Sequence, residues 1–186
     1  LWAAIEAAKT KPFGFEAFYP GPGVGGHCIP IDPNYLSWVV RSLGYRFRLV
    51  ELAQEVSERM PAYVAKRAQD SLNRDRKAVN GSVIVLVGVT YKANVSDMRE
   101  TPARPLAQQL LDLGADVRYL DPHVEEFLVR DQLVPAVGDT RSGLEEADLV
   151  IVLQAHREVM ESDILDGVGA ILDTSGSLNG DNVDRL

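Results

Sequence analysis

Cysteine and histidine are scarce in this sequence. One cysteine and three histidines occur among 186 residues. A single thiol cannot form an internal disulfide, and so few histidines leave little from which to build a structural metal site. We therefore expect no bound metal, and we expect the protein to work in the cytoplasm, where a free thiol stays reduced.

Two further features are missing, a long apolar run and an excess of positive charge. No stretch approaches the roughly 20 apolar residues that a membrane span needs, and the first residues lack the basic segment and cleavage site of a signal peptide. Asp and Glu (27) outnumber Lys and Arg (19), which gives a formal net charge of −8. Membranes and nucleic acid are therefore not expected partners, and an acidic ligand would have to be held by a few placed cations.

The one cysteine, Cys28, lies in a segment with an unusual composition. Residues 21–33 contain four glycines and three prolines. A buried structural thiol usually behaves as a small hydrophobic residue of a helix or strand, whereas a thiol on an irregular loop before a helix is typical of a nucleophile. Asp32 is predicted to cap the helix that Pro33 opens, and its carboxylate can also serve as a base. His27 is an alternative base.

The periodicity of apolar residues divides the chain into two parts. Helices are predicted over residues 1–9, 32–43, 49–59 and 61–75. From residue 82 the pattern changes to short apolar strands at 83–88, 116–120, 149–153 and 170–173, with helices at 102–113 and 124–130. The fold class is therefore α/β, in which a helical segment (residues 1–78) precedes a Rossmann-like domain with a parallel sheet (residues 79–186).

Residues 21–26 formally match the G-x-G-x-x-G fingerprint of dinucleotide-binding domains. The context contradicts this interpretation, because no clear strand precedes the glycines and no helix opens at the last one. Conversely, the strand that ends at Gly88 has no glycine cluster after it, so residues 79–186 lack a phosphate loop. Lys92 and Arg99 lie in the polar loop after this strand, where open α/β sheets bind ligands, and Lys92 is a candidate to pair with a phosphate. The alternative for Arg99 is a local ion pair with Asp97.

Three segments together resemble one protein family, the UDP-glucose/GDP-mannose dehydrogenases. They are residues 10–33, 88–92 and 97–102. The amino-acid sequence of the cysteine loop looks closest to the branch that acts on N-acetylated UDP-hexoses, such as the UDP-N-acetylglucosamine 6-dehydrogenases. The resemblance covers nearly the whole chain.

The resemblance implies a three-part enzyme with an NAD-binding Rossmann domain, a central helical dimerisation domain and a C-terminal domain that binds the UDP-sugar. This sequence resembles the end of the central region plus the C-terminal domain, without the NAD domain, so alone it is expected to be an inactive fragment. The intact homodimer would oxidise the C6 alcohol of a UDP-sugar to a carboxylate with two NAD. Cys28 would trap the aldehyde as a thiohemiacetal and then carry a thioester, which water hydrolyses with help from Asp32.

The resemblance also implies binding residues. Lys11 would reach into the partner subunit's site, and Arg99 would contact NAD. One departure concerns the segment after the last predicted strand, where relatives often carry an arginine and this chain has Asp173 to Gly176. The residues expected to contact the UDP-sugar are Phe18, Tyr19, Gly21, Gly23, Gly25, Tyr91 and Lys92.

Two alternatives remain from the residues themselves. The chain could be a non-catalytic module for nucleotide binding or dimerisation, in which the Cys28 loop is only structural. It could also be a Cys–His hydrolase that uses His27 or His123, although a third group to orient the histidine is not evident.

Overall fold

The computed structural model describes residues 1–137 and 141–186. Three helices come first, and a sheet with shorter helices follows. The helices are α1 (Trp2–Lys9), α2 (Cys28–Ser42), α3 (Arg48–Arg74), α4 (Ala103–Asp112), α5 (Arg141–Glu145) and α6 (Arg157–Met160), with a 3₁₀ turn at Asp163–Leu165. The strands are β1 (Val83–Val87), β2 (Asp116–Leu120), β3 (Phe127–Val129), β4 (Gln132–Val134), β5 (Leu149–Val152), β6 (Ile171–Asp173) and β7 (Val183–Arg185).

Five parallel strands form an open sheet in the order β2-β1-β5-β6-β7. The two faces of β1 belong to different cores, because successive side chains of a strand point to opposite sides. Ile84 and Leu86 pack in one core with α4 and with the C-terminal half of α3. Val85 and Val87 pack in the other core, with Leu144 of α5. The predicted α/β class with a Rossmann-like parallel sheet is confirmed.

The long helix α3 joins the two parts of the chain. Helices were predicted separately over residues 49–59 and 61–75, but one helix continues through Pro61. Its second half is buried on the sheet at Val64, Ala68 and Leu72. Its first half leaves Leu49 and Leu52 exposed. Helix α3 thus packs on the sheet although it precedes residue 79, and the proposed division between residues 78 and 79 stays a prediction.

The predicted start of α2 is wrong. The helix begins at Cys28 with His27 in the capping position, so Asp32 lies in the second turn and is not the N-cap. Pro30 is tolerated because the first backbone N–H groups of a helix have no intrahelical partner to lose. The Asp32–Pro33 pair imitates a helix start, whereas the structure begins the helix four residues earlier and keeps Pro33 inside it.

The predicted helix over residues 124–130 is also wrong. These residues contain β3, which pairs with β4 as an antiparallel hairpin. Phe127 and Val129 are buried while Leu128 between them is exposed, which is the period of a strand. Arg130 and Asp131 both have positive φ, 48° and 61°, as the two central residues of a tight hairpin turn require.

Candidate active site

Cys28 is the first residue of α2, and its side chain is exposed. Asp32 is exposed too and lies four residues further along the same helix. Residues at this spacing share a helix face with Cβ atoms about 6 Å apart. The thiol and the carboxylate are therefore neighbours that both face solvent, as a nucleophile and an assisting base would need.

The glycines before Cys28 dock its loop onto the loop between β1 and α4. A Cβ added to Gly25 would lie 2.6 Å from Tyr91 Cβ and 2.7 Å from the Glu100 carbonyl oxygen. The Gly26 N–H donates to the Arg99 carbonyl oxygen at 2.9 Å. These positions need glycine because another backbone passes directly over them. The thiol is thus held beside the loop that carries Tyr91, Lys92 and Arg99.

Gly23 and Gly21 differ in their surroundings. A Cβ on Gly23 would lie 3.1 Å from Pro102 Cβ, and its φ of +139° also favours glycine. A Cβ on Gly21 would meet nothing within 4 Å. Gly21, Gly23 and Gly25 were expected to contact the UDP-sugar. In the structure Gly23 and Gly25 lie close to protein atoms and Gly21 faces open space, and the sugar contacts of all three stay predictions.

Arg99 lies within electrostatic reach of the thiol. Its guanidinium forms a forked ion pair with Asp97, with contacts of 2.6 to 3.1 Å, as the alternative interpretation expected. The Asp97 carboxylate raises the pKa of Arg99, with smaller contributions from Tyr91 and Cys28. The same guanidinium lowers the pKa of Asp97. Because Arg99 stays largely exposed, it remains available to an anionic ligand that approaches Cys28.

Lys92 is exposed, seven residues before Arg99 in the same loop. Within residues 1–137 and 141–186, no carboxylate pairs with its ammonium group, whereas Lys66 and Lys77 are both paired. Tyr91 is half-buried and packs its ring against Gly26. An unpaired exposed cation at the carboxyl end of a central parallel strand is well placed for a phosphate.

The phosphate site of a dinucleotide-binding domain is filled by protein here. Asp121, directly after β2, accepts hydrogen bonds from the N–H groups of Val89 (2.7 Å) and Thr90 (3.3 Å). Gly88 packs directly against Gln154, whose carbonyl oxygen would lie 2.5 Å from a Cβ added to the glycine. The backbone donors that would cradle a pyrophosphate are therefore occupied. This agrees with the missing glycine cluster after the strand that ends at Gly88.

Three residues predicted to bind substrate, Lys11, Phe18 and Tyr19, precede the glycines of the cysteine loop in the sequence. Phe18 is 80% exposed, and Lys11 lies over the Phe13 ring at 5.5 Å. Tyr19 stacks on Trp2 at 5.9 Å and donates to Glu6 at 2.8 Å. In the part of the chain that the structure describes, no hydrogen bond joins Lys11, Phe18 or Tyr19 to the Cys28 and Lys92 loops. Their substrate contacts stay predictions.

The histidines do not form a catalytic pair with the thiol in the described residues. His27 is exposed, with no hydrogen bond to Cys28. His123 faces Glu158 at 3.5 Å, and its ring is tilted by 55° against the ring of His156 with centroids 4.9 Å apart. The geometry therefore gives no support to the Cys–His hydrolase. Among residues 1–137 and 141–186, no cluster of three metal-ligating side chains is found, and no helix is both long and apolar enough to cross a membrane.

A cavity of about 910 Å³ lies behind the cysteine loop, between α2, α3 and the start of α4. Ile29, Pro30, Ala53, Pro61 and Pro102 contribute to its largely apolar wall. Cys28 and Asp32 do not line it. The cavity therefore lies on the side of α2 that faces α3, and the thiol does not open into it.

Sequence reasoning missed three residues that shape this site, Asp121, Gln154 and His156. Each follows directly or closely after a parallel strand, Asp121 after β2 and the other two after β5. The rule that ligands bind at the carboxyl ends of strands could have drawn attention to them. The composition of the sequence around these three residues did not distinguish them.

The fold and site together define a Rossmann-like α/β protein with an exposed cysteine loop docked at the carboxyl ends of its strands. Residues 85–179 match the model of the UDP-glucose/GDP-mannose dehydrogenase family, UDP binding domain, and residues 1–59 match the central domain of the same family. The chain belongs to this family, as the resemblance implied.

Individual relatives agree with this assignment. A UDP-N-acetyl-D-mannosamine dehydrogenase from Methanocaldococcus jannaschii is 32% identical over 88% of this chain and 34% of its own length. A UDP-N-acetyl-D-glucosamine 6-dehydrogenase from Pseudomonas aeruginosa is 32% identical over 84% of this chain and 36% of its own. The solved structure of a UDP-D-ManNAc dehydrogenase from Pyrococcus horikoshii superimposes with a TM-score of 0.82 at 26% identity, over 99% of this chain and 43% of that one. The chain thus spans about a third of the length of these curated relatives.

Proposed function

We propose that this chain supplies the nucleophile and part of the nucleotide-sugar site of an NAD-dependent UDP-sugar 6-dehydrogenase. The substrate we propose is a UDP-N-acetylhexosamine, since the curated relatives described above carry names of this class. The observation that carries the proposal is the docking of the Cys28 loop, through Gly25 and Gly26, against the Tyr91–Arg99 loop. The proposal is supported because the loop against which the exposed thiol's loop docks carries two exposed cations, Lys92 and Arg99. We place the reaction in the cytoplasm, where the thiol stays reduced.

The proposed chemistry of the chain centres on sulfur. The C6 alcohol is first oxidised to an aldehyde, and the Cys28 thiolate adds to the aldehyde carbon to form a thiohemiacetal. Loss of a hydride from that carbon gives a thioester, and attack by water releases the carboxylate and restores the thiol. NAD, when bound, takes up the hydride of each oxidation, so that two NAD and one water are consumed per sugar.

Other groups of the chain support these steps. Asp32, one turn from Cys28, is placed to accept a proton from the attacking water. The first backbone N–H groups of α2 lack intrahelical partners and are available to negative charge on the substrate oxygen. Arg99 is the residue of this chain that we propose for contact with a cofactor phosphate, because it is exposed and near the thiol.

Lys92 is proposed to anchor the diphosphate, and its replacement tests the binding part of the proposal. Lys92→Ala is expected to weaken UDP binding about tenfold, because one unpaired cation close to a phosphate is lost. Isothermal titration of UDP into the chain measures the effect, and the wild-type affinity should fall as salt rises. Lys66→Ala is the matched control, since Lys66 is exposed on α3 and already pairs with Asp70. Equal affinity of the Lys92 variant and the wild type would contradict the assignment.

We also propose that the chain forms a homodimer through α2 and the first half of α3. These helices pack on each other and expose large apolar side chains, among them Trp38 (71%), Leu49 (82%) and Leu52 (55%), and such exposure is typical of an interface. Sedimentation equilibrium is expected to show a dimer for the wild type and a monomer for Leu52→Glu. Leu133→Glu, at an exposed position of the β3–β4 hairpin, should leave the dimer intact. A monomeric wild type would refute this interface.

A further inference from the structure

The loop between β1 and α4 carries Tyr91, Lys92 and Arg99 but has no regular secondary structure. Its backbone polar groups therefore need partners outside a helix or strand ladder. Some are local, such as the Tyr91 N–H, which donates to the Asp97 carbonyl oxygen at 3.1 Å. Asp121 after β2 accepts from the Val89 and Thr90 N–H groups, and further partners come from residues that follow β5.

The segment after β5 holds the loop on both sides of Lys92. The Gln154 Nε2 atom donates to the Tyr91 carbonyl oxygen at 3.1 Å. The Asn94 N–H donates to His156 Nδ1 at 2.9 Å, and the Arg157 N–H donates to Asn94 Oδ1 at 2.7 Å. The backbone immediately before Lys92 and two residues after it is thus tied to one neighbouring segment.

His156 connects the backbone of Asn94 to Asp121, which directly follows β2. Its side chain is fully buried, and because Nδ1 accepts from Asn94, the proton must lie on Nε2. That N–H faces Asp121 Oδ2 at 3.1 Å, and the same oxygen accepts from the Val89 N–H. Burial alone would raise the pKa of Asp121, but hydrogen bonds from His156 and from the backbone of His123 and Val89 lower it overall. Asp121 is therefore a carboxylate that accepts hydrogen bonds from the His156 side chain and from the backbone N–H groups of Val89 and His123.

We propose that Gln154 and His156 are positioning residues for Lys92, which set the affinity for the nucleotide diphosphate without touching it. The inference rests on the proposed function, in which Lys92 binds the diphosphate. A lysine on an irregular loop binds tightly only if the backbone beneath it is already ordered, because otherwise binding must also order the loop. The hydrogen bonds on either side of Lys92 provide that order.

Gln154→Met is the variant that removes one of these bonds with the least other change. Methionine keeps the length and packing of glutamine but cannot donate to the Tyr91 carbonyl oxygen. UDP binding by the chain is expected to weaken about fivefold, the effect of one lost hydrogen bond. Gln69→Met, at an exposed position of α3, is the matched control and should bind UDP as the wild type does.

A double-variant cycle separates positioning from a general structural role. If Gln154 acts through Lys92, the variant that combines Lys92→Ala with Gln154→Met should bind UDP no more weakly than Lys92→Ala alone. A loss of fold would instead weaken binding further in the double variant. Effects that multiply would overturn the inference.

His156 is tested by a disruptive and a conservative replacement. His156→Leu removes the acceptor for Asn94 and is expected to weaken UDP binding at least about fivefold. His156→Asn offers an amide oxygen near the position of Nδ1 and should recover most of the affinity. If the leucine variant does not fold, Gln154→Met and the double variant still test the inference.

Two outcomes distinguish the inference from the proposed function on which it rests. Wild-type affinity in Gln154→Met, together with weak binding in Lys92→Ala, would overturn only the inference. Wild-type affinity in Lys92→Ala would overturn the proposed function.

Discussion

Replacement of Cys28 by serine is expected to reduce carboxylate formation at least about a thousandfold in a protein that joins this chain to an NAD-binding domain. A serine hydroxyl is protonated at neutral pH, and among the described residues no base is hydrogen-bonded to the side chain at position 28, so serine adds poorly to the C6 aldehyde. Without the sulfur adduct, the second oxidation has no suitable substrate. The first oxidation does not need the thiol and should continue.

The stoichiometry of the reaction reports this difference directly. The wild type should release two NADH for each sugar consumed, and Cys28→Ser at most one, with aldehyde as the product. His27→Ala, next to the thiol, is the matched control and should keep its rate within about threefold, because His27 makes no hydrogen bond to Cys28 in the described residues. Two NADH per sugar at the wild-type rate in Cys28→Ser would reduce the Cys28 loop to a scaffold. Loss of activity in His27→Ala would instead favour the Cys–His alternative.

Gly25→Ala is expected to lower the free energy of unfolding by about 3 kcal/mol or to detach the cysteine loop from the sheet domain. The added methyl group would lie 2.6 Å from Tyr91 Cβ and 2.7 Å from the Glu100 carbonyl oxygen, well inside van der Waals contact. Neither atom is the end of a flexible side chain. Relief therefore requires that one of the two loops move, and with it the thiol or Lys92.

Gly21→Ala provides a close comparison in the same loop. No atom lies within 4 Å of a Cβ at Gly21, so this variant should be within about 0.5 kcal/mol of the wild type. Urea unfolding measures both variants. Hydrogen exchange at the Gly26 N–H, which donates to the Arg99 carbonyl oxygen, distinguishes local detachment from global destabilisation. Equal stability and exchange in the two variants would show that the docked geometry is not required.

Much of the sheet could be predicted from the sequence. The apolar β-branched run at residues 83–88 indicates a strand buried on both faces, and β1 occupies Val83–Val87. Strand β2 was predicted with the correct ends, Asp116–Leu120. Strand β3 was predicted as part of a helix, β4 and β7 were not predicted, and each of these strands has only three residues in which to show a period.

The helix ends were less predictable than the strands. The Asp32–Pro33 signal favoured a late start for α2, and Pro61 suggested two helices where α3 is continuous. In both cases local preference allowed more than one solution. Packing decided between them, since the buried half of α3 lies on the sheet and the first turn of α2 follows directly from the docked glycines.

The sequence by itself determined the chemistry that this protein can offer, because the single thiol, the exposed cations and the missing phosphate loop are matters of composition and order. Only the tertiary structure decided which of these groups meet. The glycines before Cys28 could have admitted a ligand, yet they admit the backbone of another loop. Asp121 follows β2 and the pair Gln154 and His156 follows β5, and the parallel strands bring these two distant segments to one edge of the sheet. Such contacts depend on the register of the whole sheet, which no local pattern of residues encodes.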